Sequence, residues 1–343
     1  MKDRRPFLLS LLTLALFARV NAYGITGTVN EASGITRQGD HLLIVGDEDT
    51  GVYYRFPLLD GHGALIPIDP GRLARVALPG AKLAIDLEAI DVLADGRVAV
   101  LSERLRALVG EQGLITEYAN PLSEFGNRGL EGLAVRTLAQ GTSRVAVLWE
   151  GGYPEYNALP VQLQRHVGRL PLQPMIWAHD LKAGDAGIEI KMAERERYAL
   201  QEIKLDVPKP LGLEPQAQRF RAPDLVWYKT GLDCGVKQSW GFIVLLSSQN
   251  SPVDGKPEYR HQWLQRFTAD GRPLGRALDL NRVIPTHLKG ANWEGLAWFE
   301  EGKSLVIIHD IPPKASPTAV IVSLPDDWKY GETCSHPGSR IPS

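Results

Sequence analysis

Cysteine is almost absent from the 343-residue chain, which carries only Cys234 and Cys334. Nothing else in the sequence completes a cysteine metal site or a redox motif around them. Charge of one sign is not concentrated anywhere: Lys+Arg 38 stand against Asp+Glu 40, a net of −2, and no stretch forms a basic block. That argues against nucleic acid as a partner. No Gly-x-Ser-x-Gly elbow occurs, and the nearest string, Asn30-Glu31-Ala32-Ser33-Gly34, lacks the first glycine. The eight histidines make no His-Glu-x-x-His or His-x-His, so the usual zinc hydrolases find no support. Gly302-Lys303-Ser304 imitates the end of a phosphate-binding loop, but Ala297 stands where the earlier glycine is needed, and the string reads as a hairpin turn. Gly46 to Gly51 holds three acids in a spacing unlike an EF-hand and is the best local cation candidate away from the repeats described below.

Long apolar runs are also missing. The longest, Phe7 to Phe17, covers eleven positions, includes Ser10 and Thr13, and is too short to span a bilayer. With Lys2, Arg4 and Arg5 before it and Val20 and Ala22 after it, residues 1–22 read as a secretory signal peptide cleaved after Ala22. Arg4-Arg5-Pro6-Phe7-Leu8 also resembles a twin-arginine signal. The expectation is a periplasmic or secreted protein with no membrane span after cleavage. Removing Lys2, Arg4, Arg5 and Arg19 with Asp3 leaves 34 cations against 39 anions, a mature net charge of −5. In an oxidising compartment, Cys234 and Cys334 are expected to form a disulfide closing a loop of about 100 residues, with two buried free thiols as the alternative.

Glycine and proline are plentiful. Gly 34 and Pro 24 make 58 of 343 residues, about 17% where about 12% is usual, so turns interrupt short elements. With 44% hydrophobic and 23% charged residues, the chain is neither disordered nor a coiled coil, and its class reads as all-β.

A short signature recurs through the chain: Asn30 to Ile35, Leu87-Glu88-Ala89-Ile90, Leu130-Glu131-Gly132-Leu133 and Trp293-Glu294-Gly295-Leu296, with a degenerate copy at Pro223-Asp224-Leu225-Val226. Each copy is followed by a polar turn and an apolar run: Leu42 to Val45, Val98 to Leu101, Val145 to Trp149, Phe242 to Leu246 and Leu305 to Ile308. These runs end in Asp47, Glu103, Glu150, Ser247-Ser248 and His309-Asp310. Alternating strands then follow, as at Val52 to Pro57, Leu114 to Tyr118, Met175 to Leu181 and Gln262 to Thr268, and Asp95-Gly96 and Asp270-Gly271 are hairpin turns. Five antiparallel meanders in series predict a β-propeller spanning residues 23–343. The acids at 31, 88, 131, 224 and 294 are 57, 43, 93 and 70 residues apart. About 321 mature residues at roughly 50 per blade give six blades, with five as the runner-up. Tyr23 to Val29 is expected to pair with the last blade. An irregular insertion is expected around 155–211, with a short helix over Ala193 to Ile203.

The first strand of a propeller blade lines the axis, so a Glu at the same point of several blades gathers carboxylates around one opening. Packed like charges repel and raise one another's pKa unless compensated. Three readings follow: the acids pin neighbouring backbone, they hold a hard cation such as Ca²⁺, or basic residues neutralise them. Lys82, Arg128, Arg221 and Lys289 each precede one of the acids.

These Glu-[Ala/Gly] signatures, each followed by an apolar strand ending in an acid, resemble the phytase esterase-like family of secreted bacterial β-propellers from about Asn30 to Leu324. The resemblance implies a six-bladed ring with a metal-assisted phosphoesterase or esterase activity. Carried onto this sequence, it puts catalysis on Glu88, Glu131, Glu294 and Asp310, and a metal on Glu31, Asp47, Glu88, Glu131 and Glu294. Lys82, Arg128 and Lys289 are expected to hold a small anionic ligand or ester. Asp224-Leu225 and Ser247-Ser248 depart from the pattern, which leaves one side of the ring poorer in acids. The alternative is a non-catalytic propeller binding a small ligand or a protein partner. Gly151-Gly152-Tyr153-Pro154-Glu155-Tyr156 reads as a surface loop that could also face a ligand.

Overall fold

A computed structural model describes residues 29–58, 65–78, 86–118, 129–151, 173–190, 196–208, 218–230, 239–250, 260–310 and 317–329. In chain order the strands are β1 (Ala32–Gln38), β2 (His41–Gly46), β3 (Val52–Pro57), β4 (Leu65–Pro67), β5 (Ala74–Ala77), β6 (Leu87–Val92) and β7 (Val98–Ser102). Next come β8 (Ala107–Gly110), β9 (Gly113–Tyr118), β10 (Leu130–Thr137), β11 (Ser143–Trp149), β12 (Met175–Leu181), β13 (Ile188–Ile190) and β14 (Gln201–Lys204). The last seven are β15 (Gln218–Thr230), β16 (Ser239–Asn250), β17 (Arg260–Phe267), β18 (Pro273–Asp279), β19 (Asn292–Glu300), β20 (Ser304–Asp310) and β21 (Thr318–Ser323).

They form five sheets, β1-β2-β3-β5, β6-β7-β8-β9-β13, β10-β11-β12-β14, β15-β16-β17-β18 and β19-β20-β21-β4. The innermost strands β1, β6, β10, β15 and β19 pack in that order, and β19 returns to β1. The chain is a β-propeller of five blades, the lower of the two counts expected. The five signatures each open a blade, and among the described residues there is no sixth sheet.

The apolar runs are second strands, covered by a neighbouring blade on each face. Leu42 to Val45, Val145 to Trp149 and Leu305 to Ile308 are wholly buried, which is why they read as continuous apolar stretches and not as alternations. Gly96 at φ +86° and Gly271 at φ +84° turn the predicted hairpins, and Gly302-Lys303 turns β19 into β20. Two strands are lent backwards. β4, on the connection between β3 and β5, pairs antiparallel with β21, so the last blade takes its outer strand from residues 65–67. β13, on the connection between β12 and β14, pairs parallel with β9 of the preceding blade. β4 thus links the last blade to the first-blade segment of the chain; the expected pairing of Tyr23 to Val29 falls on residues of which 23–28 lie outside the described residues. Within 155–211, β12, β13 and β14 belong to blades, and Gln201–Lys204 is strand where a helix was expected. Pairing with β12 decides this, since the short helix-like pattern has too few residues to stand on its own.

Candidate functional site

Four of the five innermost strands begin with a β-bulge of the same register. The shift falls between Ala32 and Gly34, Leu87 and Ala89, Leu130 and Gly132, and Trp293 and Gly295. The extra residue is Ser33, Glu88, Glu131 and Glu294, and a bulge re-aims the side chain that it carries. Ser33, not Glu31, is thus the counterpart of the three glutamates; its hydroxyl donates to the Leu87 carbonyl at 2.5 Å. Glu31 sits two residues earlier at φ +49°, and its carbonyl accepts from the Asp47 N–H. The small residue after each bulge is required by crowding at the axis. A Cβ on Gly34 would lie 2.6 Å from the Ala89 Cα, and one on Gly132 2.9 Å from the Asp224 Cα.

The exits of the second strands also coincide. Asp47, Glu103 and Glu150 each donate a backbone N–H to the residue two positions before a bulge, namely Glu31, Asp86 and Gly129. Bulge acids and exit acids therefore meet at one mouth of the axis. Carboxylate oxygens of Glu103, Glu131 and Glu150 all lie within 4.8 Å of one another. Burial, reinforced by Glu131, Glu103, Glu294 and Asp47, holds the Glu88 carboxyl well above the usual range.

Blade four supplies a cation. Its bulge lies between Arg221 and Asp224, in the stretch Ala222-Pro223, so no glutamate enters there. Arg221 reaches Glu294 at 2.7 Å, and Glu131 and Glu150 at 3.4 Å each. Asn292 also donates to Glu294 at 2.6 Å. Burial works against the Arg221 charge, but Glu294, Glu131, Glu150 and Glu88 together hold its pKa well above the usual value. Asp47, Glu88, Glu103, Glu131, Glu150 and Glu294 thus gather at this mouth, with the Arg221 guanidinium among them.

Asp224 does something else. Fully buried, it accepts backbone N–H groups from Leu225 at 2.8 Å, from Leu133 of blade three at 3.3 Å and from Leu296 of blade five at 2.7 Å. Asp91 is its counterpart on blade two, accepting from Val92 at 2.8 Å, Val135 at 2.6 Å and the Thr36 hydroxyl at 3.0 Å. These two aspartates pin three blades each. Burial raises both, Asp91 to about 6.

Of the predicted site residues, Glu88, Glu131, Glu294 and Asp47 come together, with Glu103 and Glu150 beside them. Asp310 pairs with Asn292 in the ladder at the matching exit position, and Lys289 is exposed after a short 3-10 turn. Lys82, Arg128, both cysteines, residues 1–22 and Gly152 to Tyr156 lie outside the described residues. In Gly46 to Gly51, Asp49 accepts from the Asn30 backbone at 3.1 Å and side chain at 3.0 Å, so that acid is committed to local structure. His309 is buried edge-on against Trp293, with centroids 5.2 Å apart. Among the described residues no helix is long and apolar enough to cross a membrane. Sequence reasoning noted Arg221 as one of four basic neighbours; its place directly before the Ala222-Pro223 bulge, where Leu87, Leu130 and Trp293 stand in three other blades, was the signal that could have singled it out.

No protein-family model matches the sequence, and no curated protein matches it. Among solved structures, the chain is similar to a streptogramin B lyase at 12% identity, covering 88% of this chain and 96% of that one with a TM-score of 0.35. It is similar to a thermostable family-43 glycoside hydrolase at 8% identity, 87% and 91% coverage and TM-score 0.39. A calcium-binding protein, regucalcin from Agrobacterium tumefaciens, gives 8%, 89% and 95%, and 0.37. Similarity at this level carries no information on chemistry, so the resemblance to the phytase esterase-like family rests on the repeated short motifs alone.

Proposed function

We propose that the protein is an exported propeller that holds a divalent cation of the calcium class at its acidic mouth and uses it to hydrolyse a phosphate or carboxylic ester. The observation that carries this reading is the convergence of carboxylate oxygens of Glu103, Glu131 and Glu150, all within 4.8 Å of one another, beside the raised Glu88 carboxyl. Hard cations with several oxygen ligands relieve the repulsion among packed carboxylates, and Glu103, Glu131 and Glu150 offer oxygens from two blades at ligand spacing. A cation there would polarise an ester oxygen and make bound water more acidic, while Glu88, whose proton is held by burial, would supply a proton to the leaving group. This is the activity that the resemblance to the phytase esterase-like family implies. The second reading, a non-catalytic binding propeller, draws on Arg221, which already bonds Glu294 and lies beside Glu131 and Glu150.

The test is calcium and magnesium titration by calorimetry, with melting before and after chelation, on wild type, Glu131→Gln and Glu103→Gln. Turnover of p-nitrophenyl phosphate and p-nitrophenyl acetate is measured on the same samples. Calcium binding that both variants weaken about tenfold or more, with turnover lost in parallel, supports the proposal. Calcium binding without turnover leaves the binding propeller. No binding, with a melting temperature indifferent to chelator, overturns the cation.

A further inference from the structure

The opposite mouth of the axis has the reverse chemistry. All five innermost strands line a cavity of about 420 Å³ there, among whose walls are Arg37, Arg136, Lys229, Trp227, Trp240 and Trp298. That volume falls in the range of small-molecule sites. The Arg136 guanidinium carbon stands 4.8 Å from the Trp227 ring centroid and 4.5 Å from that of Trp240. Cation–π contact with the two mutually perpendicular rings uses none of the guanidinium N–H donors and leaves them to be filled. They are not: Nε is buried with no acceptor, and no hydrogen bond or ion pair joins Arg136 to any described residue. Nearby Asp180 is taken by Arg144 at 2.9 Å. Lys229 is balanced by Glu301 at 3.1 Å, whereas Arg37, over the Phe299 ring, donates only to carbonyl oxygens among the described residues. Among the described residues, the one carboxylate lining the cavity apart from Glu301 is Asp91, whose oxygens are engaged by three donors. The mouth therefore carries two guanidinium groups without a carboxylate partner, set among tryptophan rings.

The geometry points to a second site at this mouth that binds a small organic anion with a flat apolar body, an aromatic carboxylate, its charge on the edge of Arg136 and its ring against the indoles. A carboxylate matches the guanidinium fork, and ring contacts with indole add to it. Benzoate is the probe, with benzyl alcohol as its uncharged counterpart and acetate as the anion without a ring. Binding is read by tryptophan fluorescence and calorimetry with chelator present, so that loss of a cation at the far mouth cannot affect the result. Benzoate should saturate the wild type more tightly than either control. Arg136→Gln should weaken it about tenfold or more, Arg136→Lys less, and Lys303→Gln, which removes an exposed charge elsewhere, not at all. Should Arg136→Gln fail to fold, Arg37→Gln is the variant to read, with about a threefold loss expected for a mouth charge. Equal binding of benzoate and benzyl alcohol, equal affinity in the arginine variants, or no saturation at all overturns the site and leaves the stack as packing only.

Discussion

Asp224 and Glu131 sit on adjoining innermost strands, both buried and both acidic, yet they do opposite work. The shorter aspartate reaches only backbone and is saturated by three N–H groups from three blades. Glu131, one methylene longer and placed on a bulge, reaches past the backbone into a group of like charges beside Arg221. Two of the readings that the repeated acids allowed, structural pin and charged site, are therefore both present, on different residues. What separates them is whether neighbouring backbone consumes the oxygens.

The contrast breaks most sharply at Arg221. Arg221→Met removes the cation and leaves buried carboxylates facing one another, and is expected to cost about 3 kcal/mol or more. Because the remaining carboxylates can be neutralised by protons, the loss in melting temperature should be larger at pH 8 than at pH 5. An equal loss at both would mean that Arg221 acts by packing alone. Asp224→Asn comes next. Both oxygens of Asp224 accept N–H bonds, so an amide must turn its NH₂ toward a donor, at about 1–3 kcal/mol, with little change in calcium affinity. A fall in calcium affinity as large as that of Glu131→Gln would erase the distinction between pin and site.

The smallest effect concerns Asp91. Its folded pKa of about 6 lies above the unfolded 3.8, so the folded state binds the extra proton. The associated stability is fully present below pH 3.8 and is lost as pH rises through 6. The difference in melting temperature between wild type and Asp91→Asn should therefore be greatest near pH 4 and shrink by pH 7. A difference that widens over that range would contradict a carboxyl raised by burial.

Much of this was legible in the residues. The five signatures, the five apolar runs and the hairpins at Asp95-Gly96 and Asp270-Gly271 mark the blades because burial on both faces and a positive-φ turn each impose a local pattern. Glycine after Glu131 and Glu294 was readable as crowding at the axis. The equivalence of Glu31 with Glu88 was not correct, since a bulge counts residues against a partner strand that the linear sequence does not display. The same limit hid β4 and β13, three residues each, whose strand character comes from the edge that receives them. Nor could the chain tell which basic neighbour enters the acidic mouth, because Arg221 is selected by Ala222-Pro223 in the bulge and not by any motif of its own. The tryptophan-lined mouth has no sequence signature either: Arg136, Trp227 and Trp240 come from two blades and three strands.

The loan of β4 to the last blade also sets an order of events during synthesis. Residues 65–67 leave the ribosome long before 318–323, with which they pair, so for most of translation the first blade carries a strand with an open edge. Such an edge invites pairing with another nascent chain. The fifth blade, emerging last, finds its outer strand already waiting. A chain truncated before β21 would lose both of that strand's pairings, with β20 and with β4, and so would also leave the first blade's connection with nothing to grip.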